Sequence, residues 1–344
     1  VARPEVIRQL FRNARLIGRR FRLAHVRYDR EIIEVATFRG QPLVDDEDDG
    51  GSAKIEHPET GLILRDNVYG TIEEDALRRD FTVNALYYDI DDFSVLDYAD
   101  GMHDLEAGVL RLIGDPEQRY REDPVRMLRA VRFAAKLGFR LHPQTEAPIH
   151  RLAPLLAGIP SARLFDELLK LFLSGHAVQT FELLRLYGLF EYLLPLTEHS
   201  LREAGQGLPR MLLNCALANT DQRVAADKPV TPAFLYAAFL WYPLQQRMQP
   251  LFATGLSQAE ALQEAADRVI LEQNDCTSIP KRFSGPMREI WALQHRFDYR
   301  TGKKPSRFLE NPRFRAAYDF LLLRVEAGES DLAESAEWWT QFQT

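Results

Sequence analysis

At Gly114 the chain changes character, and that change sets its architecture. Before it, short apolar runs alternate at 15–21, 23–28 and 32–38, the last two joined through Asp29-Arg30-Glu31 as a hairpin. A helix is expected over 4–13, with Val6, Ile7, Leu10 and Phe11 as its apolar stripe. An acidic, Gly-containing loop follows over 40–61, then a helix over 71–79 and strands over 81–90 and 93–97. After Gly114 the pattern turns helical. Asp123-Pro124 marks a helix start, with aspartate as cap and proline in the first turn. Further helices are predicted at 162–173, 176–187, 208–219, 231–241, 257–274, 280–298 and 305–327. The fold class is therefore α+β: a mixed α/β head over 1–114, an all-helical neck over 115–195 and a helical body over 196–344.

Size and composition narrow the function. A chain of 344 residues, 46% apolar and 27% charged, can bury two or three cores. No run reaches the roughly 18 to 20 apolar residues needed to cross a bilayer, and the first ten residues lack the apolar stretch of a signal peptide. Only Cys215 and Cys276 are present, which excludes a disulfide framework and fits a reducing cytoplasm. The net charge of -7 argues against a surface that binds polyanions everywhere. Locally the balance reverses: Arg8 to Arg30 contains eight arginines and His25 against Asp29 alone.

The chemistry concentrates in Glu73-Glu74-Asp75-Ala76-Leu77-Arg78-Arg79-Asp80-Phe81-Thr82-Val83-Asn84. Arg78 and Arg79 are forked donors that suit phosphate oxygens. Asp80 can take a hydroxyl or a divalent ion, and Asn84 can donate and accept at a sugar. The set reads as a nucleoside triphosphate site. A charged helix end before a buried strand would account for any two of these residues but not for all. In the helix after Pro124, Arg126, Arg129 and Arg132 share one broad face, while Val125, Leu128, Val131 and Ala135 form another that packs. A solvated basic face is the competing reading of those arginines. Glu34 falls with Ile32, Ala36 and Phe38 on a strand expected to be covered on both sides, so it needs a cation partner or a metal. Asp89-Ile90-Asp91 is expected to be a hairpin tip. Trp241, Trp291, Trp338 and Trp339 are expected in the core rather than stacked on RNA, and Lys281-Arg282 is a candidate for RNA phosphates.

Together these elements resemble the class II nucleotidyltransferases, the family of bacterial poly(A) polymerases and CCA-adding enzymes. Glu74-Asp75 with Arg78-Arg79-Asp80 and Asn84 is similar to the element that holds ribose and triphosphate. Asp97-Tyr98-Ala99-Asp100-Gly101-Met102-His103-Asp104-Leu105 is similar to the flexible D-x-x-x-G-x-x-D-L element, and Glu122-Asp123-Pro124-Val125-Arg126 to the E-D-x-x-R base template. The resemblance runs over nearly the whole chain. Leu16-Ile17-Gly18-Arg19-Arg20-Phe21-Arg22, Ile113-Gly114-Asp115-Pro116 followed by Arg119-Tyr120-Arg121, and Asn311-Pro312-Arg313-Phe314 bring it nearer to the poly(A) polymerases.

The resemblance implies transfer of AMP from ATP to an RNA 3′ hydroxyl, with Mg²⁺ or Mn²⁺ as cofactor. Asp80 and Glu34 would be catalytic, and Glu34 would be a metal ligand. Arg78, Arg79, Asp80, Asn84, Asp123, Arg126, Arg129 and Arg132 would hold the nucleotide, while Arg19, Arg20, Arg22, Lys281 and Arg282 would hold RNA. A cytoplasmic monomer working on RNA 3′ ends, alongside RNA-decay proteins and away from membranes, is the expected setting. The family's G-G-x-x-R-D and D-x-D elements are expected before the equivalent of Val1. Two alternatives stand: CCA addition to tRNA, and an RNA- or nucleotide-binding protein without catalysis.

Overall fold

The computed structural model describes residues 2–18, 22–40, 55–56, 63–65 and 68–343. The chain divides into two compact units: Val1–Glu122 with Arg140–Glu146, and Asp123–Phe139 with Ala147–Thr344.

In the first unit, helix α1 (Pro4–Leu10) opens with a proline, whose missing N–H is not needed at a helix start. Strands β1 (Ala14–Ile17), β2 (Leu23–Tyr28) and β3 (Glu31–Val35) form an antiparallel sheet in that order. The register sets Ala14 against Val26 and His25 against Glu34. Ile7, Ala14, Ala24 and Val26 form the core beneath the sheet, with Leu16 and Val35 against them. Period-two alternation then turns Arg15, Arg27, Ile32 and Glu34 to the other, exposed face.

The expectation that β3 is covered on both faces is wrong: residues 31–34 are all exposed. β3 is the outer strand of this sheet among the described residues, and α1 covers only one face. Glu34 is 64% exposed, with its Oε1 2.9 Å from Nε2 of His25. The residue it faces is a cross-strand histidine.

Short strands β4 (Ile55–Glu56) and β5 (Ile63–Arg65) pair antiparallel, so β4 interrupts the expected acidic loop. The rest of that loop, 41–54 and 57–61, lies outside the described residues. Helix α2 (Ile72–Leu77) follows, then a 3₁₀ turn over Thr82–Asn84 and the hairpin of β6 (Leu86–Tyr88) and β7 (Val95–Asp97). The strand expected over 81–90 is thus broken. Oδ1 of Asp80 accepts from both the Phe81 N–H and the Asn84 side-chain amide, and such local bonds compete with a ladder. Asp89-Ile90-Asp91 is the expected hairpin turn, with Asp91 N–H bonded to Asp89 Oδ1. Helix α3 (Gly101–Glu106), strand β8 (Val109–Leu110) and helix α4 (Pro116–Glu122) complete this stretch of the head.

The second unit begins with helix α5 (Val125–Leu137), followed in the chain by strand β9 (Arg140–Leu141), which returns to pair in parallel with β8 in the head. Val125, Leu128, Val131 and Ala135 are buried as the spacing predicts. The cap sits at Pro124, one residue later than expected, while Asp123 Oδ1 still accepts the Val125 N–H. The remaining helices include Ser161–Phe172, Ala177–Leu186, Leu208–Ala225, Gln258–Cys276 and Lys281–Leu293. The helix expected over 305–327 is two, Lys304–Leu309 and Phe314–Glu326. Pro312 cannot continue a helix, and the Asn311 side chain takes the Arg313 N–H across the break.

Trp241, Trp291 and Trp339 are buried as core residues, and Trp338 packs partly buried against the C-terminal cluster. Trp339 donates to the carbonyl of Phe297, in a cluster with Phe308, Phe314 and Tyr318. Among the described residues no helix is long and apolar enough to cross a membrane.

Candidate nucleotide site

The site in the head starts from a capping box. Thr71 Oγ1 accepts the Glu74 N–H, and Glu74 Oε2 accepts the Thr71 N–H, so α2 begins at a fixed point. Glu74 therefore serves the helix start.

One turn later Asp75 is buried, with three donors around it. Its Oδ2 accepts the Tyr87 hydroxyl at 2.6 Å and Arg79 Nη2 at 3.1 Å, and its Oδ1 accepts the Arg39 N–H at 3.0 Å. Burial alone would raise the Asp75 pKa, yet Tyr87, Arg39 and Arg79 together hold it below the usual range. Burial, and then the bond to Asp75, push Tyr87 up to about 12, so its hydroxyl stays a donor at neutral pH. Arg79 also lies over the Tyr87 ring at 5.2 Å.

Arg78 donates from Nη1 to the carbonyl of Gly40 at 2.5 Å. Asp80 and Asn84 are brought together, Nδ2 to Oδ1 at 3.1 Å. Arg78, Arg79 and Asp80 thus occupy the turn that ends α2, and Asn84, in the 3₁₀ turn that follows, is tied back to it through Asp80. Arg39, Tyr87 and Arg119, none of them among the expected site residues, brace that turn. Little in the neighbouring sequence pointed to that role, since their partners lie 8 to 41 residues away.

The D-x-x-x-G-x-x-D-L element is built as a brace as well. Asp97 accepts the N–H groups of Ala99, Gly101 and Met102, which overcome its partial burial and lower its pKa. A Cβ on Gly101 would sit 2.4 Å from the Thr82 carbonyl, so only glycine fits there. Asp104, 1% exposed, accepts the Thr82 hydroxyl at 2.7 Å and is gripped by Arg111 through Nε at 2.9 Å and Nη2 at 3.0 Å. Burial would raise its pKa, but Arg111 and Thr82 outweigh that and lower it.

These depressed carboxylates fix the sign of the acid response. A carboxylate with a folded pKa below its unfolded value adds stability above the ordinary carboxylate range and loses it as pH falls through the folded value. The melting temperature is therefore expected to be level from about pH 5 to 7 and to drop below about pH 4. Asp104→Asn should flatten that drop. A melting curve of unchanged acid slope in Asp104→Asn would remove Asp104 from the account.

In the second unit, Asp123 Oδ2 is 2.7 Å from Nη2 of Arg163, a partner absent from the sequence reading. Arg129 and Arg132 both approach the Phe133 ring, at 5.5 and 4.4 Å, which answers two of the like charges on that face. Arg126 is half-buried on the same helix. Of the RNA candidates, Arg19 and Arg20 lie outside the described residues, and Arg22 bonds Glu5 at 2.9 Å. Lys281 and Arg282 are exposed at a helix start, with Arg282 over Phe283.

A divalent ion of the Mg²⁺ kind needs several oxygen ligands. Among the described residues no group of three or more His, Cys, Asp or Glu side chains could hold one, and Glu34 stands with His25 alone. Glu34 offers one carboxylate, and the further oxygen ligands such an ion needs would come from outside these residues.

Residues 1–111 match the model of the poly A polymerase head domain, 138–201 that of the probable RNA and SrmB-binding site of polymerase A, and 254–344 that of the polymerase A arginine-rich C-terminus. The chain aligns over 99% of its length, with 24% identity and a TM-score of 0.59, with 71% of the CCA-adding enzyme of Bacillus stearothermophilus solved in complex with CTP. That likeness shows the fold, and the head model sets residues 1–111 among the poly A polymerase head domains. The chain is 51% identical over 344 residues to Poly(A) polymerase I of Escherichia coli O6:H1, covering 99% of this chain and 73% of that protein. Against the CCA-adding enzyme of Leuconostoc mesenteroides it is 37% identical over 180 residues, 52% of this chain and 41% of that protein. The chain belongs to the poly(A) polymerase I family.

Proposed function

We propose that this chain transfers AMP from ATP to RNA 3′ ends without a template, releasing pyrophosphate. The observation that carries the reading is the turn of Arg78, Arg79, Asp80 and Asn84, braced by Gly40, Asp75, Tyr87 and Arg119, in a chain 51% identical to a poly(A) polymerase I. In this reading Arg78 and Arg79 offset charge that builds on the phosphate oxygens as the 3′ hydroxyl attacks the α-phosphorus. Guanidinium groups held before the substrate arrives do this without reorganising. Asp80 and Asn84 take the ribose hydroxyls. Asp123 and Arg126 read the edge of the base, and Arg129 and Arg132 add positive charge for phosphates. Lys281 and Arg282 meet RNA along the helical body, so that 1–114, 115–195 and 196–344 act as head, neck and body. A cytoplasmic monomer that meets RNA-decay proteins belongs to the same proposal.

CCA addition is the second reading, favoured by the likeness to CCA-adding enzymes. The test incubates the full-length protein and an RNA carrying a free 3′ hydroxyl with each nucleotide separately, and with all of them. Long tails from ATP alone are expected. Two cytidines followed by one adenosine would overturn polyadenylation. ATP binding with no transfer would leave a nucleotide-binding protein.

A further inference from the structure

Three consecutive carbonyls leave the end of α2, those of Arg78, Arg79 and Asp80, and all three are taken by one segment of the head. Nη2 of Arg119 donates to the Arg78 carbonyl at 3.0 Å and to the Arg79 carbonyl at 2.6 Å. The Ile113 N–H donates to the Asp80 carbonyl at 2.9 Å, and the Thr82 N–H returns a bond to the Arg111 carbonyl at 3.0 Å. Carbonyls at and just past a helix C-cap have no partner within the helix, and a cation beside them is favoured by the helix dipole. Here the capping cation comes from α4, about 40 residues along the chain. The Arg119 side chain is only 17% exposed, so it acts from within the head rather than from solvent.

We propose that Arg119 is the positioning residue of the triphosphate turn. It fixes the peptide planes of Arg78 and Arg79 and thereby the directions in which their guanidinium groups leave the backbone. Side-chain contacts alone do not fix those planes: Arg78 reaches Gly40, and Arg79 reaches Asp75 and Tyr87, each at the far end of a flexible stem. Pinning both carbonyls removes the backbone rotation that would let the two forks splay. Arg119 bonds carbonyls, so its part is orientation and not contact with phosphate.

The inference rests on the reading of Arg78 and Arg79 as phosphate ligands, and the experiment separates the two. ATP affinity, its salt dependence, RNA affinity and melting temperature are measured on the full chain for Arg119→Ala, Arg119→Lys and the pair Arg78→Ala with Arg79→Ala. Loss of two charge-assisted bonds to the turn predicts ATP binding weakened about tenfold in Arg119→Ala. The salt slope and RNA affinity should stay those of the parent, the melting temperature should fall modestly as two carbonyls lose their donor, and Arg119→Lys should recover part of both losses. A flattened salt slope in Arg119→Ala would make Arg119 a phosphate contact and overturn the positioning role. So would ATP, RNA and melting temperature all falling together, which marks a brace for the whole head. If the arginine pair weakens ATP binding and Arg119→Ala does not, the positioning role fails alone. If the pair has no effect, the phosphate reading fails and takes this inference with it.

Discussion

Asp104→Ala is expected to destabilise the head unit by about 3 kcal/mol, at the low end of the range for breaking a buried ion pair. The carboxylate is almost fully buried and carries both the Arg111 fork and the Thr82 hydroxyl. Removing it leaves a hydroxyl and a guanidinium without their acceptor beneath the turn that holds Gly101 against the Thr82 carbonyl. The estimate stays low because the Arg111 side chain is 38% exposed and can turn partly to water. Urea melts followed by circular dichroism would measure it, with Asp104→Asn as the milder companion. A loss below about 1 kcal/mol would mean that the D-x-x-x-G-x-x-D-L element is not held by this carboxylate.

The second large effect concerns ligand rather than stability. Replacing Arg78 and Arg79 together by alanine is expected to weaken ATP binding at least about a hundredfold, since each guanidinium–phosphate interaction contributes roughly 1.5 to 3 kcal/mol. The salt dependence should flatten as well, because two cations no longer meet the triphosphate. Titration calorimetry reads both quantities. RNA affinity serves as the control, since the exposed candidates Lys281 and Arg282 are untouched. A change of less than about fivefold in ATP affinity would move the phosphates elsewhere.

What could be read from the sequence follows how local the physics is. The buried stripe of α5 needs only a 3.6-residue period, and Val125, Leu128, Val131 and Ala135 obey it. The hairpin at Asp29 needs only the neighbouring strands, and Asp29 takes the left-handed conformation there with φ 48°. Period two placed Glu34 on the right face of β3 but could not say whether anything covers that face. The strand expected over 81–90 failed because Asp80 bonds its own neighbours, and the helix expected over 305–327 failed at Pro312. The candidate site divides in the same way. Its ligand-type residues stand together in the chain and were recognised by chemistry. Their braces, Arg39, Tyr87, Arg119 and Arg163, come from distant segments and carry no local signature.

Because one carboxylate, Asp75, is shared by a tyrosine, an arginine side chain and a peptide N–H, its two side-chain partners cannot vary independently. Substitutions at Tyr87 and Arg79 should interact rather than add, the second costing less once the first has loosened the common acceptor. A tolerated change at one of these positions would thus open the other to change, and the three residues would drift through sequence space as a linked set.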